Sequence, residues 1–100
     1  MNPTFTFEAE LAQWEAAKTT WVYAAVPLDE ADIIADLVES RRGFGSIRVT
    51  VRIEHHEWHT SIFPMKDGRF FLPVKAPIRK KAKVDIGDTV EFQLDVRIED

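Results

Sequence analysis

Residues 47–53, IRVTVRI, alternate strictly between branched aliphatic and polar side chains. A period of two places successive side chains on opposite faces of a β-strand. One face of this strand is therefore aliphatic, and its members are Ile47, Val49, Val51 and Ile53. The same alternation recurs near the end of the sequence, where the apolar positions are Val90, Phe92, Leu94, Val96 and Ile98. Two such strands need a common core to cover their apolar faces, so the sequence predicts a mostly β protein.

Four further segments are typical of strands. Residues 5–11 alternate with a period of two, and residues 20–27 are apolar on both faces, as in a strand that is covered on both sides. Residues 58–63 follow the polar turn EHHE, and residues 70–75 follow an Asp-Gly pair that favours a hairpin. Short strands joined by hairpin turns favour a small closed or double-split β-barrel of about six strands, because closure removes exposed sheet edges.

One helix is expected at about residues 29–41. Asp29 can cap its first turn, and Leu28 is placed to pack on Ile33. Arg42 follows the last turn, and Gly43 can take the left-handed conformation that ends many helices. The apolar stripe of this helix consists of Ile33, Ile34, Leu37 and Val38. A short helical turn opened by proline is expected near residues 77–83.

The composition is that of one soluble globular domain over residues 1–100, with 45% hydrophobic and 30% charged residues. No apolar run approaches the ~20 residues that span a bilayer, so no membrane association is expected. The absence of cysteine excludes disulfides and thiolate metal sites, and it fits a cytoplasmic location. The net charge of −4 is uneven, because the bases concentrate between residues 41 and 83 and the acids on either side. The middle of the chain could therefore present a basic face.

Several motifs occur together in a fixed order: Trp21, RGFGSIRVTV, WHTSIFP and DGRFFLPVKAPIRKKAKVDIGDTVEFQL. With this set the chain resembles the family called domain of unknown function 1905. The resemblance implies a double-split β-barrel that is related in architecture to the swapped-hairpin barrels of antitoxins and transition-state regulators. It implies no activity, so the function stays unknown at this point.

The sequence favours a non-catalytic small binding module that holds an anionic ligand or a partner protein. Ser61 and Arg79 both lie in the motifs that carry the resemblance, and a guanidinium group can bind a carboxylate or phosphate through two hydrogen bonds. The expected groove lies near residues 43–45, residues 58–61 and residues 75–79. The candidate ligand-binding residues are Arg79, Ser61, Thr60, Trp58, Lys75, Arg42 and Phe44. No cofactor is expected, and the oligomeric state is not predicted.

The first alternative is a DNA-binding or antitoxin-like barrel. Five basic residues fall within residues 75–83, and such a cluster can neutralise phosphates without regard to base sequence. The overall acidity of the chain argues against this alternative.

The second alternative is a hydrolase that uses histidine and serine. Neighbouring strand residues point to opposite faces, so His59 and Thr60 cannot pair within one strand. No metal is expected either, because His55 and His59 would lie ~13 Å apart on a continuous strand, with His56 on the opposite face.

Overall fold

The structure is a computed structural model that describes residues 3–38 and 45–97. It contains seven strands and two helices within these ranges. In chain order they are β1 (Thr4–Glu10), β2 (Ala12–Ala16), β3 (Thr19–Val26), α1 (Leu28–Val38), β4 (Ile47–Ile53), β5 (His56–Pro64), β6 (Phe70–Pro73), α2 (Ala76–Ala82) and β7 (Thr89–Val96). The prediction of a mostly β protein is confirmed.

All seven strands belong to one antiparallel sheet with the order β1-β7-β4-β5-β6-β3-β2. β1 and β2 lie at opposite edges of this sheet, although only Leu11 separates them in the chain. The sheet must therefore curl so that its two edges approach each other, and β1 does come close to β3. The result is a curled half-barrel.

The prediction of a closed barrel of about six strands is wrong. Closure would need a ladder of hydrogen bonds between the two edge strands, and β1 and β2 each have one neighbour in the described sheet. The backbone of Leu11 instead bonds to the turn before β7, donating to the carbonyl of Asp88 (2.9 Å) and accepting from the N–H of Gly87 (2.8 Å). This junction holds the two edges near each other without joining them.

The two alternating strands share one core, as predicted. The inward residues of β4 and β7 are almost completely buried, namely Val49, Val51, Ile53, Val90, Phe92, Leu94 and Val96. Ile47 is half-buried, and Ile98 lies outside the described residues. Phe92 stacks on Phe7 of β1 with ring centroids 5.5 Å apart. The aliphatic and aromatic faces of both strands therefore form the centre of the protein.

Helix α1 begins at Leu28, one residue earlier than expected, and the N–H of Ala31 donates to the carbonyl of Pro27 (2.8 Å). Its buried residues are Ala31 and Ile34, whereas Ile33 is 52% exposed. The predicted stripe was therefore too wide, because the helix rests on the sheet along a narrow line. Leu28 and Leu37 are also exposed. The predicted end of this helix, with Arg42 and Gly43, lies outside the described residues.

Strand β2 was not predicted, and β3 is covered on one face rather than two. Val22, Ala24 and Val26 are buried, whereas the side chains between them face outward. The outward side of β3 carries Trp21 and Tyr23, which pair across the ladder with Trp14 and Ala12 of β2. Because Trp21 and Tyr23 make the outer face of β3 apolar as well, the sequence shows the pattern of a strand with two covered faces.

The turns follow the sequence closely. Gly68 has φ +98°, which fits the predicted Asp-Gly hairpin, and the N–H of Met65 donates to the carbonyl of Arg69 (2.9 Å). Arg69 bonds to Asp67 across this turn and thereby lowers the pKa of that carboxyl. The turn near residues 77–83 is a short helix with proline in its first turn, and Lys83 ends it in the left-handed conformation. None of the described helices is long and apolar enough to cross a membrane.

Candidate functional site

A groove of about 500 Å³ opens where β4, β5 and β7 meet the segment between β6 and α2. Three basic residues line the groove, namely Arg48, Lys75 and Arg97. Their polar neighbours are His59, Thr60 and Ser61. We call this feature the basic groove.

The register of the β4–β5 hairpin builds the centre of the basic groove. Arg48 lies opposite Ser61, and Thr50 lies opposite His59. Paired residues of an antiparallel ladder point to the same face, and alternate residues along each strand do so as well. These four side chains therefore share the outer face of the sheet. Thr60 pairs instead with the buried Val49, so its side chain belongs to the inner face.

Two strand extensions bring in the other cations. The N–H of Arg97 donates to the carbonyl of Arg48 (3.0 Å), so the chain beyond β7 continues beside β4. On the other side, the N–H of Val74 donates to the carbonyl of Val22 (2.9 Å), so the chain beyond β6 continues beside β3. This second extension carries Lys75 to the rim of the basic groove. Backbone hydrogen bonds therefore fix the positions from which two of the three cationic side chains project.

The positive charges of Arg48 and Lys75 are not balanced by any carboxylate of the described residues. None of the described residues that line the basic groove is a carboxylate. Within residues 3–38 and 45–97, no hydrogen bond or ion pair engages the side chains of Arg48 and Lys75. Arg52, four residues beyond Arg48 along β4, contrasts with them because Glu57 binds it at 2.6 Å and raises its pKa. Within the described residues, the side chains of Arg48 and Lys75 therefore have no partner for their charge.

Aromatic rings also line the basic groove. Trp21 is 37% exposed and Phe63 is 44% exposed, and both line it. Trp21 belongs to a larger cluster on the outer side of β2, β3 and β6, in which Phe71 is the central ring. The centroid of Phe71 lies 4.5 Å from that of Tyr23, 5.8 Å from that of Trp14 and 6.3 Å from that of Trp21. We call Trp14, Trp21, Tyr23, Phe63 and Phe71 the aromatic face.

His59 is engaged by a hydroxyl group rather than by a carboxylate. Its Nδ1 lies 3.0 Å from the Oγ1 of Thr50. Asp95, the neighbour of Thr50 on β7, accepts a hydrogen bond from the hydroxyl of Thr4 (2.7 Å). No carboxylate of the described residues orients His59, so the arrangement of a catalytic triad is not present there. The described part of the chain also holds no group of three or more histidine or acidic side chains placed to bind a metal.

A second groove, of about 670 Å³, lies near β1, β3 and the start of α1. Its charged lining residues are Glu8, Glu10, Asp29 and Arg69. Arg69 is already bound to Asp67. The excess of carboxylates in this groove would repel an anion, so the two grooves favour ligands of opposite charge.

Comparison with protein families matches residues 7–94 to the model "Domain of unknown function (DUF1905)". The chain belongs to the DUF1905 family. No curated protein matches it. The resemblance seen in the motifs is thereby confirmed, and the DUF1905 match includes Arg48, Ser61 and Lys75 but ends before Arg97.

In the structure of this DUF1905 chain, only some of the candidate ligand-binding residues line the basic groove. Ser61, Thr60 and Lys75 line the basic groove. Arg79 does not line it, because its Nη1 donates to the carbonyl of Val74 (2.6 Å) and holds the segment before α2. Trp58 is partly buried against the core. The structure therefore does not bring Arg79 and Trp58 to the lining of this groove, their role in ligand binding stays a prediction, and Arg42 and Phe44 lie outside the described residues.

Sequence reasoning missed Arg48, Arg97, Phe63 and the groove position of Trp21 in the DUF1905 chain. A signal for Arg48 did exist, because a tight turn at residues 54 and 55 fixes the hairpin register and places residue 48 opposite residue 61. The position of Arg97 depends on the pairing of β7 with β4, which no local pattern specifies. Trp21 reaches the groove through the equally distant pairing of β3 with β6.

Proposed function

We propose that this chain is a non-catalytic binding module whose basic groove holds an anionic group. The observation that carries the proposal is the convergence of Arg48 and Lys75 on one groove, beside Arg97, with no carboxylate among the described residues that line it. Each cation attracts an anion, and the combined field of several cations in a concave site exceeds that of scattered ones.

The chemistry of the lining fits a phosphate or a carboxylate. A guanidinium group offers donors in a planar fork that matches either anion, and an ammonium group adds a compact positive charge. The hydroxyl of Ser61, opposite Arg48, supplies a further hydrogen bond. The basic groove is open to water, so screening limits the strength of these contacts, and we expect dissociation constants of about 0.1–1 mM for a small anion.

The first prediction concerns a compact anion. Inorganic pyrophosphate should shift the backbone amide resonances of residues 48, 61 and 75 in a titration followed by nuclear magnetic resonance. Arg48→Ala should weaken this binding by roughly tenfold, because it removes a charge-assisted contact. Raising the ionic strength should weaken it as well.

Arg52→Ala is the matched control for Arg48→Ala. Arg52 lies on the same strand and the same face, but Glu57 neutralises it and it does not line the basic groove. Its replacement should leave pyrophosphate binding unchanged within about twofold. Equal losses in the two variants would show that only the net charge matters, and no resonance shift in the wild-type chain would refute the proposed function.

A DNA-binding module is the second candidate. Lys80, Lys81 and Lys83 are exposed at the end of α2, and they form a basic surface apart from the groove. Arg79 does not extend this surface freely, because its guanidinium is bound to the carbonyl of Val74. The net charge of −4 would oppose the approach of a long polyanion.

The second prediction follows from this charge distribution. Duplex DNA should show no measurable binding at physiological salt when fluorescence anisotropy of a labelled duplex is followed. Micromolar binding that falls by orders of magnitude with added salt, and that disappears when Lys80, Lys81 and Lys83 are changed to glutamate, would replace the groove proposal with the DNA proposal. The cytoplasmic location expected from the sequence stays a prediction.

A further inference from the structure

We propose that the ligand of the basic groove is an aromatic phosphate of about mononucleotide size, with its ring on Trp21 and Phe63 and its phosphate at Arg48 and Lys75. This inference rests on the proposed function and adds the chemical class of the ligand. It joins two features that neither the family match nor the anion site explains: the aromatic face and its contact with the basic groove.

Exposure of the aromatic rings is the first argument. Trp14 is 51% exposed, and Trp21 and Phe63 also present large fractions of their side chains to water. Single exposed apolar residues are ordinary on protein surfaces, but a contiguous group beside a polar rim is typical of a binding site. The core does not need these rings, because the buried residues of β3 project from its opposite face.

The geometry of the cluster is the second argument. Trp21 meets Phe71 edge to face, with an interplanar angle of 72°, and Tyr23 stacks on Phe71 at 15°. Such contacts restrict the orientation of a ring before any ligand arrives. A ring held in this way loses little freedom on binding, which favours stacking with a planar group.

The position of the cations is the third argument. Trp21 lies in the same groove as Lys75, which the extension of β6 brings beside β3. A neutral sugar could cover aromatic rings, but it would leave the charge of Arg48 and Lys75 uncompensated within the described residues. A ligand that carries both a π-face and a negative charge can stack on the aromatic rings of the groove and bind its basic side chains.

The size of the groove and the surrounding charge select a single unit over a polymer. A volume of about 500 Å³ falls within the range of roughly 300–1,000 Å³ found for small-molecule sites. A nucleic acid strand that continued across the outer face of the sheet would meet the carboxylates of Glu8 and Glu91, which face each other across β1 and β7. Repulsion there favours one phosphate over many.

The experiment compares three probes on the intact chain: adenosine 5′-monophosphate, adenosine and inorganic phosphate. Resonance shifts and calorimetry give the affinity of each. The monophosphate should bind about tenfold more tightly than inorganic phosphate, because base stacking adds to the anion contact. It should also bind more tightly than adenosine, and it should shift the indole N–H resonance of Trp21.

Two substitutions at Trp21 test the stacking contact. Trp21→Leu keeps apolar bulk but removes the ring, so the advantage of the monophosphate over phosphate should disappear. Trp21→Phe should restore most of that advantage. Trp14→Leu is the matched control, because Trp14 belongs to the aromatic face but does not line the basic groove. Thermal unfolding of each variant verifies that the fold is retained.

The outcomes separate the two proposals. Equal affinities for the monophosphate and phosphate, or a Trp21→Leu variant that keeps the advantage, would overturn the aromatic phosphate while the anion site stands. Failure of all probes and of pyrophosphate would overturn both proposals. A short single-stranded oligonucleotide that binds at least tenfold more tightly than the monophosphate would assign the site to nucleic acid instead.

Discussion

Replacement of Phe92 by alanine is expected to lower the free energy of unfolding by about 3–5 kcal/mol. Phe92 is fully buried at the centre of β7, and it stacks on Phe7 with ring centroids 5.5 Å apart. Truncation removes the transfer energy of the ring and leaves a cavity that the sheet can fill only in part. A domain of this size has a total stability of about 5–15 kcal/mol, so the loss is a large fraction of it.

Urea denaturation followed by circular dichroism measures this loss. Phe63→Ala serves as the control, because it removes the same ring from a strand position that is 44% exposed. It should lower stability by about 1 kcal/mol or less. Similar losses in the two variants would mean that Phe92 does not occupy the centre of the core.

Ile34→Asp is expected to have an equal or larger effect, with a loss of about 4 kcal/mol or more. Ile34 and Ala31 are the residues of α1 that are buried against the sheet. An aspartate at residue 34 would either lose its hydration in an apolar site or force the helix away from the core. Because α1 rests on so narrow a contact, we expect the helix to detach.

Ile33→Asp is the matched control for this prediction. It introduces the same residue into the same helix at the next position, which is 52% exposed. The intrinsic helix propensity of the two variants is therefore alike, and Ile33→Asp should change stability by about 0.5 kcal/mol or less. Hydrogen exchange of the α1 amides, together with urea denaturation, measures both variants. A destabilisation at residue 33 as large as that at residue 34 would show that the helix buries a different face.

The elements of this fold follow from local pattern more readily than their assembly does. The alternation in β4 and β7 identified the buried residues correctly, since a half-covered strand has one apolar face. β2 was not predicted because it lies at the sheet edge, and its central residues Gln13, Trp14 and Glu15 are all exposed. The openness of the sheet could not be predicted either, because closure depends on the pairing of distant strands.

The candidate site likewise follows only in part from local sequence motifs, because the rest depends on contacts between distant segments. Ser61 and Lys75 were candidate ligand-binding residues in the sequence and both line the basic groove, whereas their binding of a ligand stays a prediction. Arg79 lies in the densest basic run of the sequence, yet its guanidinium is bound to a backbone carbonyl. The charge of a side chain is a property of the sequence, whereas its availability to a ligand depends on what folds around it.

The order of strands in the sheet has a consequence for folding during translation. β7 is the last of the described strands to be synthesised, and it occupies the place between β1, the first, and β4. Until it emerges, β1 lacks its described partner and one edge of β4 stays open to other chains. The hairpin of β4 and β5 can form during translation, but the sheet is completed only after β7 has left the exit tunnel. A nascent chain stalled shortly before Thr89 would therefore expose the unpaired strand β1 and the open edge of β4, and chaperones that bind such strands would find their target at this stage.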